Sequence, residues 1–418
     1  MRELLFLAHR TPYPPDKGDK IRSWHILKHL AERLPVHVGC FLDDPADRRH
    51  LPVLERVAAS VTVVPLDRRQ ALLGSLAGLL TGEALSVRYF QHRAMRRWVD
   101  DTLRTRPIDA VFAFSSQMFP YVLNAGFTGR QVFDFVDVDS AKWAAYGRTS
   151  PWPRSWVYAR EARRLSALER AAAAAADASL FVSAAEAALF GQMAPASLHK
   201  IHAVANGVDL AHFHPGAPAD APSPYQSGGP VIVFVGAMDY WPNIDGVCWF
   251  VERVWPGLRA RHPGLRFCIV GSNPTPQVQA LGGIAGVTVT GRVPDVRPYL
   301  SHAIAAVAPL RIARGIQNKV LEAMAMGMPV VAHPAAFEGV DAEPGTDLLL
   351  AASEGEMLGM LSRLIEEPGL REGLGRRARA RMEAGYDWAN SLAALDRLLG
   401  LDAVPPPHAR ACPAGRAA

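Results

Sequence analysis

Residues 303–332 read AIAAVAPLRIARGIQNKVLEAMAMGMPVVA, and the order of elements in this stretch decides the fold. Ala303 to Leu310 is a continuous apolar run, the pattern of a parallel strand covered on both faces. A short basic loop follows, with Arg311, Arg314 and Gly315. Ile316, Val320, Leu321 and Met324 then recur at helical spacing up to Met326, and Gly327 stands where a left-handed C-cap closes a helix. Pro329, Val330 and Val331 open another strand. Strand, loop, helix and strand in this order form the repeating unit of a parallel sheet. The unit aims a helix N-terminus at the loop, where the dipole and unpaired amides attract an anion. Lys319 and Glu322, three residues apart, share a helix face. One helix thus offers a cation near its positive end and a carboxylate one turn on, which suits the diphosphate and ribose hydroxyls of a nucleotide. A helix packed for stability, with a solvated Lys–Glu pair, explains the same spacing equally well.

The same unit recurs on both sides of this stretch. Leu4 to Ala8 reads as a first strand, and the loop HRTPYPPDKGDK leads into a helix from Ile21 to Leu34, with Asp19 as its N-cap. Lys17, Gly18, Asp19, Lys20 and Arg22 cluster at that helix start, and Gly18 allows a backbone to approach a ligand closely. Further strands are expected at 36–41, 61–65, 110–114, 131–136 and 178–183. The strand at 131–136 runs into FDFVDVDSAKW, which sets Asp134, Asp137, Asp139, Ser140 and Lys142 at a carboxyl end, the edge where open α/β sheets bind ligands. These carboxylates suit a base, a group orienting an acceptor hydroxyl, or a polar loop capping the next helix. The D-x-D letters alone assign no metal.

Asn206 and Gly207 mark a turn, after which GAPADAPSPYQSGGP reads as a linker. Beyond it, strands at 231–235, 265–270 and 287–290 each end in glycine beside small or polar residues, with Gly236 after the first and Arg292 after the third. The expectation is therefore an α/β chain of two doubly wound, Rossmann-like domains facing each other across a cleft. The first spans 1–215 and the second 231–385, joined by a linker at 216–230. A terminal helix at 386–402 is placed to return to the first domain, and a disordered tail follows at 403–418.

Composition narrows the function classes. Over 418 residues, 49% hydrophobic and 20% charged residues describe an ordinary globular chain large enough for two or three cores. Cys40, Cys248, Cys268 and Cys412 match no metal-ligand spacing and fit a reducing, cytoplasmic setting. A net charge of +5 is mild, and no dense basic tract calls for nucleic acid. The N-terminal LLFLAH is too short and too soon interrupted for a signal peptide, and no apolar run is long enough to span a bilayer. The run from Ala71 to Leu80, flanked by Arg68, Arg69, Arg88 and Arg93, reads most simply as a buried helix with a solvated basic edge. The other reading is a peripheral segment docking on anionic lipid.

Taken together, PPDKGDKIR, FVSAAEAALF, VANGVDLAHFHP, VIVFVGAMDYWPNIDG, FCIVGSNP, VTVTGRVPDVRPYL and GIQNKVLEAMAMGMPVVA resemble the GT-B fold glycosyltransferases of sequence family 4, which are retaining nucleotide-sugar transferases. HRTPYPPDKGDKIRSWH, FDFVDVDSAKW and ARGIQNKVLEAMAMG resemble in particular the sugar transferases of the exosortase/PEP-CTERM exopolysaccharide system. The resemblance implies a nucleotide-diphosphate sugar as co-substrate, no separate cofactor, and a lipid-linked or glycan acceptor at the inner face of the cell membrane. It makes Glu322 the carboxylate on the donor ribose and Lys319 and Arg292 the cations on the diphosphate. Gly18 becomes the loop near phosphates and acceptor, beside Lys17, Asp19 and Arg22. Gly236, Arg311, Arg314 and Gly315 complete the donor side, and Asp137 or Asp139 is the candidate for the acceptor hydroxyl.

The chain departs from that family in three places. Arg314 stands eight positions before Glu322, where a first glutamate is usual, so donor-sugar specificity depends on that exchange. Ala237, Met238 and Asp239 replace a usual Arg and Lys, with Arg311, Arg314 and Lys319 as compensating cations. The usual histidine of the first domain has no match, and FDFVDVDS lies about where it would be. Two other functions remain open on the same fold, a nucleotide-sugar epimerase and a non-catalytic nucleotide-sugar-binding subunit.

Overall fold

The apolar runs pair as parallel strands in two separate sheets. The computed structural model describes residues 2–216, 222–225, 229–313 and 315–401. Arg314, parts of the 216–230 linker and the 403–418 tail lie outside the described residues. Contacts divide the chain into a first unit, formed by residues up to Val204 and again from Leu392, and a second unit, Ala205–Ser391.

In the first unit seven strands form one parallel sheet: β1 (Glu3–Ala8), β2 (Val36–Leu42), β3 (Ser60–Pro65), β4 (Ile108–Phe114), β5 (Arg130–Val136), β6 (Ala178–Phe181) and β7 (Ile201–Ala203). Their order is β3-β2-β1-β4-β5-β6-β7. Every residue of β2 and all but the first of β1 are buried, as strands between two helical layers require, and the one buried polar side chain of β2, His37, is bonded to Ser60 and Glu3. Stacked phenylalanines, Phe119 on Phe133 and Phe135 on Phe181, fill the core beside β5.

The second unit holds six parallel strands: β8 (Val231–Val235), β9 (Arg266–Val270), β10 (Val287–Val289), β11 (Ala305–Ala308), β12 (Val330–Ala332) and β13 (Leu349–Leu350). Here the order is β10-β9-β8-β11-β12-β13. In each sheet the chain starts near the middle, winds to one edge and then crosses back. The reversals fall between β1 and β4 and between β8 and β11. Loops diverge at such points and leave a crevice at the strands' carboxyl ends.

The sequence expectations need several corrections. The first helix runs over Gly18–Ala31 rather than 21–34, and its N-cap is Lys17. Asp19 cannot cap it, because its carboxylate accepts from Arg10 at 2.8 Å and faces His9 Nε2 at 3.3 Å. The first unit ends at Val204 rather than at 215. Residues 205–215 are fastened to the second unit by Arg379, which donates to the Phe213 and Leu210 carbonyls, and by Arg297, which donates to His212. From Leu392 the last helix, Trp388–Leu398, belongs to the first unit, where Asp396 pairs with Arg33 at 2.7 Å and His29 at 3.0 Å. Residues 71–80 are not buried as expected. They form helices Arg68–Leu76 and Gly78–Thr81, with Leu72, Leu73, Leu76, Leu79 and Leu80 exposed. In the opening stretch the strand contracts to Ala305–Ala308 and the helix to Asn318–Ala325, and Gly327 closes it at φ +67°.

Arg22 and Asp134 are both fully buried and pair at 2.8 Å, and Arg22 also donates to the Val204 carbonyl at 2.7 Å. The pair ties the first helix to β5 and to the last residue before the chain leaves the unit. Burial holds the Asp134 carboxyl above its ordinary range even with Arg22 beside it. Removing one partner strands the other charge in a low dielectric. Asp134→Ala should cost about 3–5 kcal/mol, and the double change Arg22→Met/Asp134→Leu distinctly less. Urea denaturation midpoints compare the two.

Candidate functional site

At the reversal of the second sheet, three segments meet. Gly236 follows β8 and donates its amide to Val270 at 3.0 Å. A Cβ on Gly236 would lie 2.8 Å from Asn243 Nδ2, and one on Gly271 would lie 1.6 Å from the Gly236 carbonyl oxygen. Only glycines let the ends of β8 and β9 approach this closely. Asn243 sits in the first turn of the helix Trp241–Trp249 and is 2% exposed. Its side-chain amide donates to the Ala237 carbonyl at 2.8 Å, and its oxygen accepts from Lys319 Nζ at 2.7 Å.

Lys319 enters from the third segment, the first turn of the helix Asn318–Ala325, and its ammonium lies 5.5 Å from the centre of the Phe234 ring. Burial lowers its pKa to about 8, with Glu322 opposing the shift. The same burial raises Glu322 to about 7 against the pull of Lys319. A cation and a carboxyl, each poised near neutrality, thus share the helix start at the reversal point. Gly315, at φ +67°, turns the chain into this helix, and its carbonyl accepts from Gln317 at 3.2 Å.

Other expected donor-side residues are placed differently. Arg311 lies over the Trp249 ring and gives two bonds to Asp245, at 2.7 and 3.2 Å, so its charge is already matched. Arg292 is exposed in the loop after β10, two strands from β8 at the edge of the sheet. Arg314 falls outside the described residues.

In the first unit the carboxyl ends of β1, β4 and β5 carry the polar groups. Lys17 and Gly18 are exposed at the start of the first helix, whereas Arg22 is sealed inside by its pair with Asp134. Burial would raise Asp19, but His9 and Arg10 outweigh it and hold the carboxyl well below the usual range. Arg10 also pairs with Asp43 at 3.0 Å, and His9 stacks on Phe114.

β5 ends at Val136 with φ +66°, an unusual conformation for a β-branched residue. Asp134 Oδ1 holds that turn by accepting from the Val136 amide at 2.9 Å. The turn delivers Asp137 and Asp139 to Lys142, whose Nζ lies 3.6 Å from each carboxylate. Ser116 donates to Asp139 at 3.0 Å. Asp137 Oδ1 is buried with no hydrogen-bond partner, and burial, aided by Glu186 and Asp139 against Lys142, raises its carboxyl to about 6. Behind it Glu169 accepts from the Ser140 amide at 3.0 Å and from its hydroxyl, and burial raises it to about 7. Among the described residues no three His, Cys, Asp or Glu side chains are grouped to hold a metal ion.

Sequence reasoning missed Asn243, Asp245, Ser116 and Glu169. Each works through a partner far along the chain, and none carries a local signature. Only the position of Asn243 in a helix's first turn, after a glycine-ended strand, could have drawn notice.

Residues 229–367 match the family model described as glycosyl transferases group 1, so the second unit carries a domain of that kind. The match includes Gly236, Asn243, Arg311, Lys319 and Glu322. No curated protein is significantly similar to the chain in sequence. Among solved structures, Anabaena HepE in complex with UDP and glucose is 18% identical with a TM-score of 0.71, the match covering 96% of this chain and all of that one. Sucrose-phosphate synthase from Thermosynechococcus elongatus is 17% identical at a TM-score of 0.68, covering 95% of this chain and 98% of its own. The α,α-trehalose 6-phosphate synthase of Burkholderia multivorans is 14% identical at 0.64, covering 96% and 98%. These likenesses establish the two-domain α/β fold, of GT-B type.

Asn243→Ala removes the close acceptor of the Lys319 ammonium, leaving the Gln317 oxygen at 3.5 Å, and should cost about 1–3 kcal/mol of stability. Lys319→Met, which removes the charge itself, should cost less. The pH dependence has a definite sign. Lys319 is lowered from 10.5 to about 8, so between those values the unfolded chain binds more protons and stability rises with pH. Urea titrations from pH 7 to pH 11, about the span of that shift, should show this rising limb in the wild type and its loss in Lys319→Met.

Proposed function

We propose that the protein is a retaining glycosyltransferase that moves a sugar from a nucleotide-diphosphate donor to a lipid-linked or glycan acceptor in exopolysaccharide synthesis, at the cytoplasmic face of the cell membrane. The observation that carries this reading is the Lys319–Asn243 contact at the reversal of the second sheet, inside the segment matched by the family model. The complexes of Anabaena HepE with UDP, with UDP and glucose, and with UDP-glucose support a uridine diphosphate sugar as the first donor to test.

In this reading the bond from the anomeric carbon to the diphosphate oxygen breaks with its electrons, and negative charge grows on the leaving group. Lys319 and the helix start beside it meet that charge, and they stabilise the transition state more than the ground state. Glu322 accepts from the ribose hydroxyls. The acceptor oxygen enters on the same face, bonds to the anomeric carbon and gives up its proton. Asp137, with an oxygen free of protein partners and a carboxyl titrating near 6, orients that hydroxyl or takes the proton, with Asp139 beside it. No enzyme nucleophile and no cofactor are required.

A panel of nucleotide sugars, scored by thermal shift and then by turnover, identifies the donor. Glu322→Ala should weaken its binding at least about tenfold, equivalent to 1.4 kcal/mol, and Lys319→Ala should lower kcat by about 10²–10³. Unchanged turnover in Glu322→Ala would refute the site, and epimer formation without transfer would refute the transferase. Turnover should fall as pH drops through about 6 while Asp137 takes up its proton, and Asp137→Asn should remove that dependence along with most of the rate. Initial rates from pH 5 to pH 8, about the range bracketing that titration, check both.

A further inference from the structure

The exposed leucines of the first unit do not stand alone. Leu72, Leu73, Leu76, Leu79 and Leu80 recur at i, i+1, i+4, i+7 and i+8, one stripe along the helices Arg68–Leu76 and Gly78–Thr81. Leu80 is 92% exposed. Behind this segment the helix Leu85–Tyr89 packs on Arg68–Leu76 and carries Val87 into a separate apolar cluster with Ala84 and Leu165, against which Trp143 and Leu168 pack.

The long helix Arg154–Ala175 is locked to the same segment. Arg160 donates to the Gly78 carbonyl at 2.5 Å and to Glu83 at 3.1 Å, while Glu161 accepts from the amides of Leu85 and Ser86. One helical turn before Arg160 stands Trp156, 54% exposed, and at the preceding bend stands Trp152, 81% exposed. The two exposed tryptophans are therefore carried by a helix that is braced directly to the segment bearing the exposed leucine stripe.

The charges around it are mostly positive. Arg68 and Arg69 begin the leucine helix, and Arg154, Arg163 and Arg164 are exposed on the long one. Of the nearby carboxylates, Glu83 pairs with Arg88 at 3.3 Å and Asp67 caps the leucine helix by accepting from the amides of Arg69 and Gln70.

We propose that this assembly docks the protein on an anionic lipid bilayer, with the leucines and tryptophans entering the headgroup boundary and the arginines meeting lipid phosphates. Tryptophan is enriched at that depth, and apolar burial combined with basic attraction is the usual basis of interfacial binding. Leu72, Leu73, Leu80 and Trp152 are each at least 60% exposed, which suits entry into a deformable lipid surface flanked by basic charge. Docking of this kind would hold the chain where a lipid-borne acceptor resides. That consequence rests on the proposed transfer reaction, whereas the docking itself is measured without any donor.

Flotation of the full chain tests it, using vesicles of phosphatidylcholine alone and vesicles containing phosphatidylglycerol. Binding is expected to the anionic vesicles at low salt and to weaken as salt shortens the Debye length to about 8–10 Å. Leu73→Glu/Leu80→Glu should lose at least tenfold in binding with an unchanged melting temperature, since both side chains are exposed. Arg68→Glu/Arg69→Glu should erase the preference for the anionic lipid. Brominated lipid should quench tryptophan fluorescence, less so in Trp152→Phe. The proposal fails if nothing floats at low salt, or if Leu73→Glu/Leu80→Glu floats like the wild type. It fails equally if the stripe instead mediates a lipid-independent, concentration-dependent dimer that the same variant breaks.

Discussion

The bond from Lys319 to the amide oxygen of Asn243 depends on two crossovers being completed correctly. Asn243 is carried by the helix after β8 and Lys319 by the helix after β11, strands that lie side by side in the sheet although 76 residues separate the two side chains. An ammonium in this partly buried place needs an acceptor that does not discharge it. A carboxylate at position 243 would neutralise the cation, as Asp245 does for Arg311. A neutral amide keeps the charge available to a ligand while limiting the cost of desolvation.

The first unit solves a related problem with the opposite choice. Arg22 and Asp134 pair with each other in a position without solvent, and further bonds go to the Val204 carbonyl and the Val136 amide. Their pairing is structural, and Asp134 also steadies the turn at Val136 that leads to Asp137. Asp137, just past the end of β5, faces Lys142 at 3.6 Å, whereas Asp134 within the strand holds the Arg22 guanidinium. Strain at Val136 and an unpartnered oxygen on Asp137 fall within two residues, a concentration of cost that folded chains tend to keep only where a site requires it.

How much of this was legible in the sequence follows from the range of each interaction. Buried parallel strands announce themselves as apolar runs, so β1, β5, β8 and β11 and the glycine-ended loops could be read directly, as could the helix bearing Lys319 and Glu322. Interactions that join distant segments could not. Nothing near Arg22 says that its partner lies 112 residues away and leaves it no reach toward a ligand. Arg311 looked like a free cation because Asp245 is supplied by another helix. The helix expected at Ile21 starts at Gly18 because the apparent capping residue, Asp19, is claimed by His9 and Arg10 from the preceding loop. Residues 71–80 mislead for a different reason, since a leucine stripe has the same period whether it faces a core or solvent.

The close crossing of Gly236 and Gly271 carries an implication for how this site could be altered. With a Cβ on Gly271 directed into the Gly236 carbonyl, relief requires the chain after β8 to move, and that chain carries Ala237 and, 6 residues later, Asn243. A side chain added at Gly271 would therefore be transmitted through backbone to the position of the Lys319 ammonium. Redesign of specificity is better directed to an exposed position of the loop between β11 and the Lys319 helix, such as Ile312, leaving Arg311 on Asp245 and Gly315 at its turn.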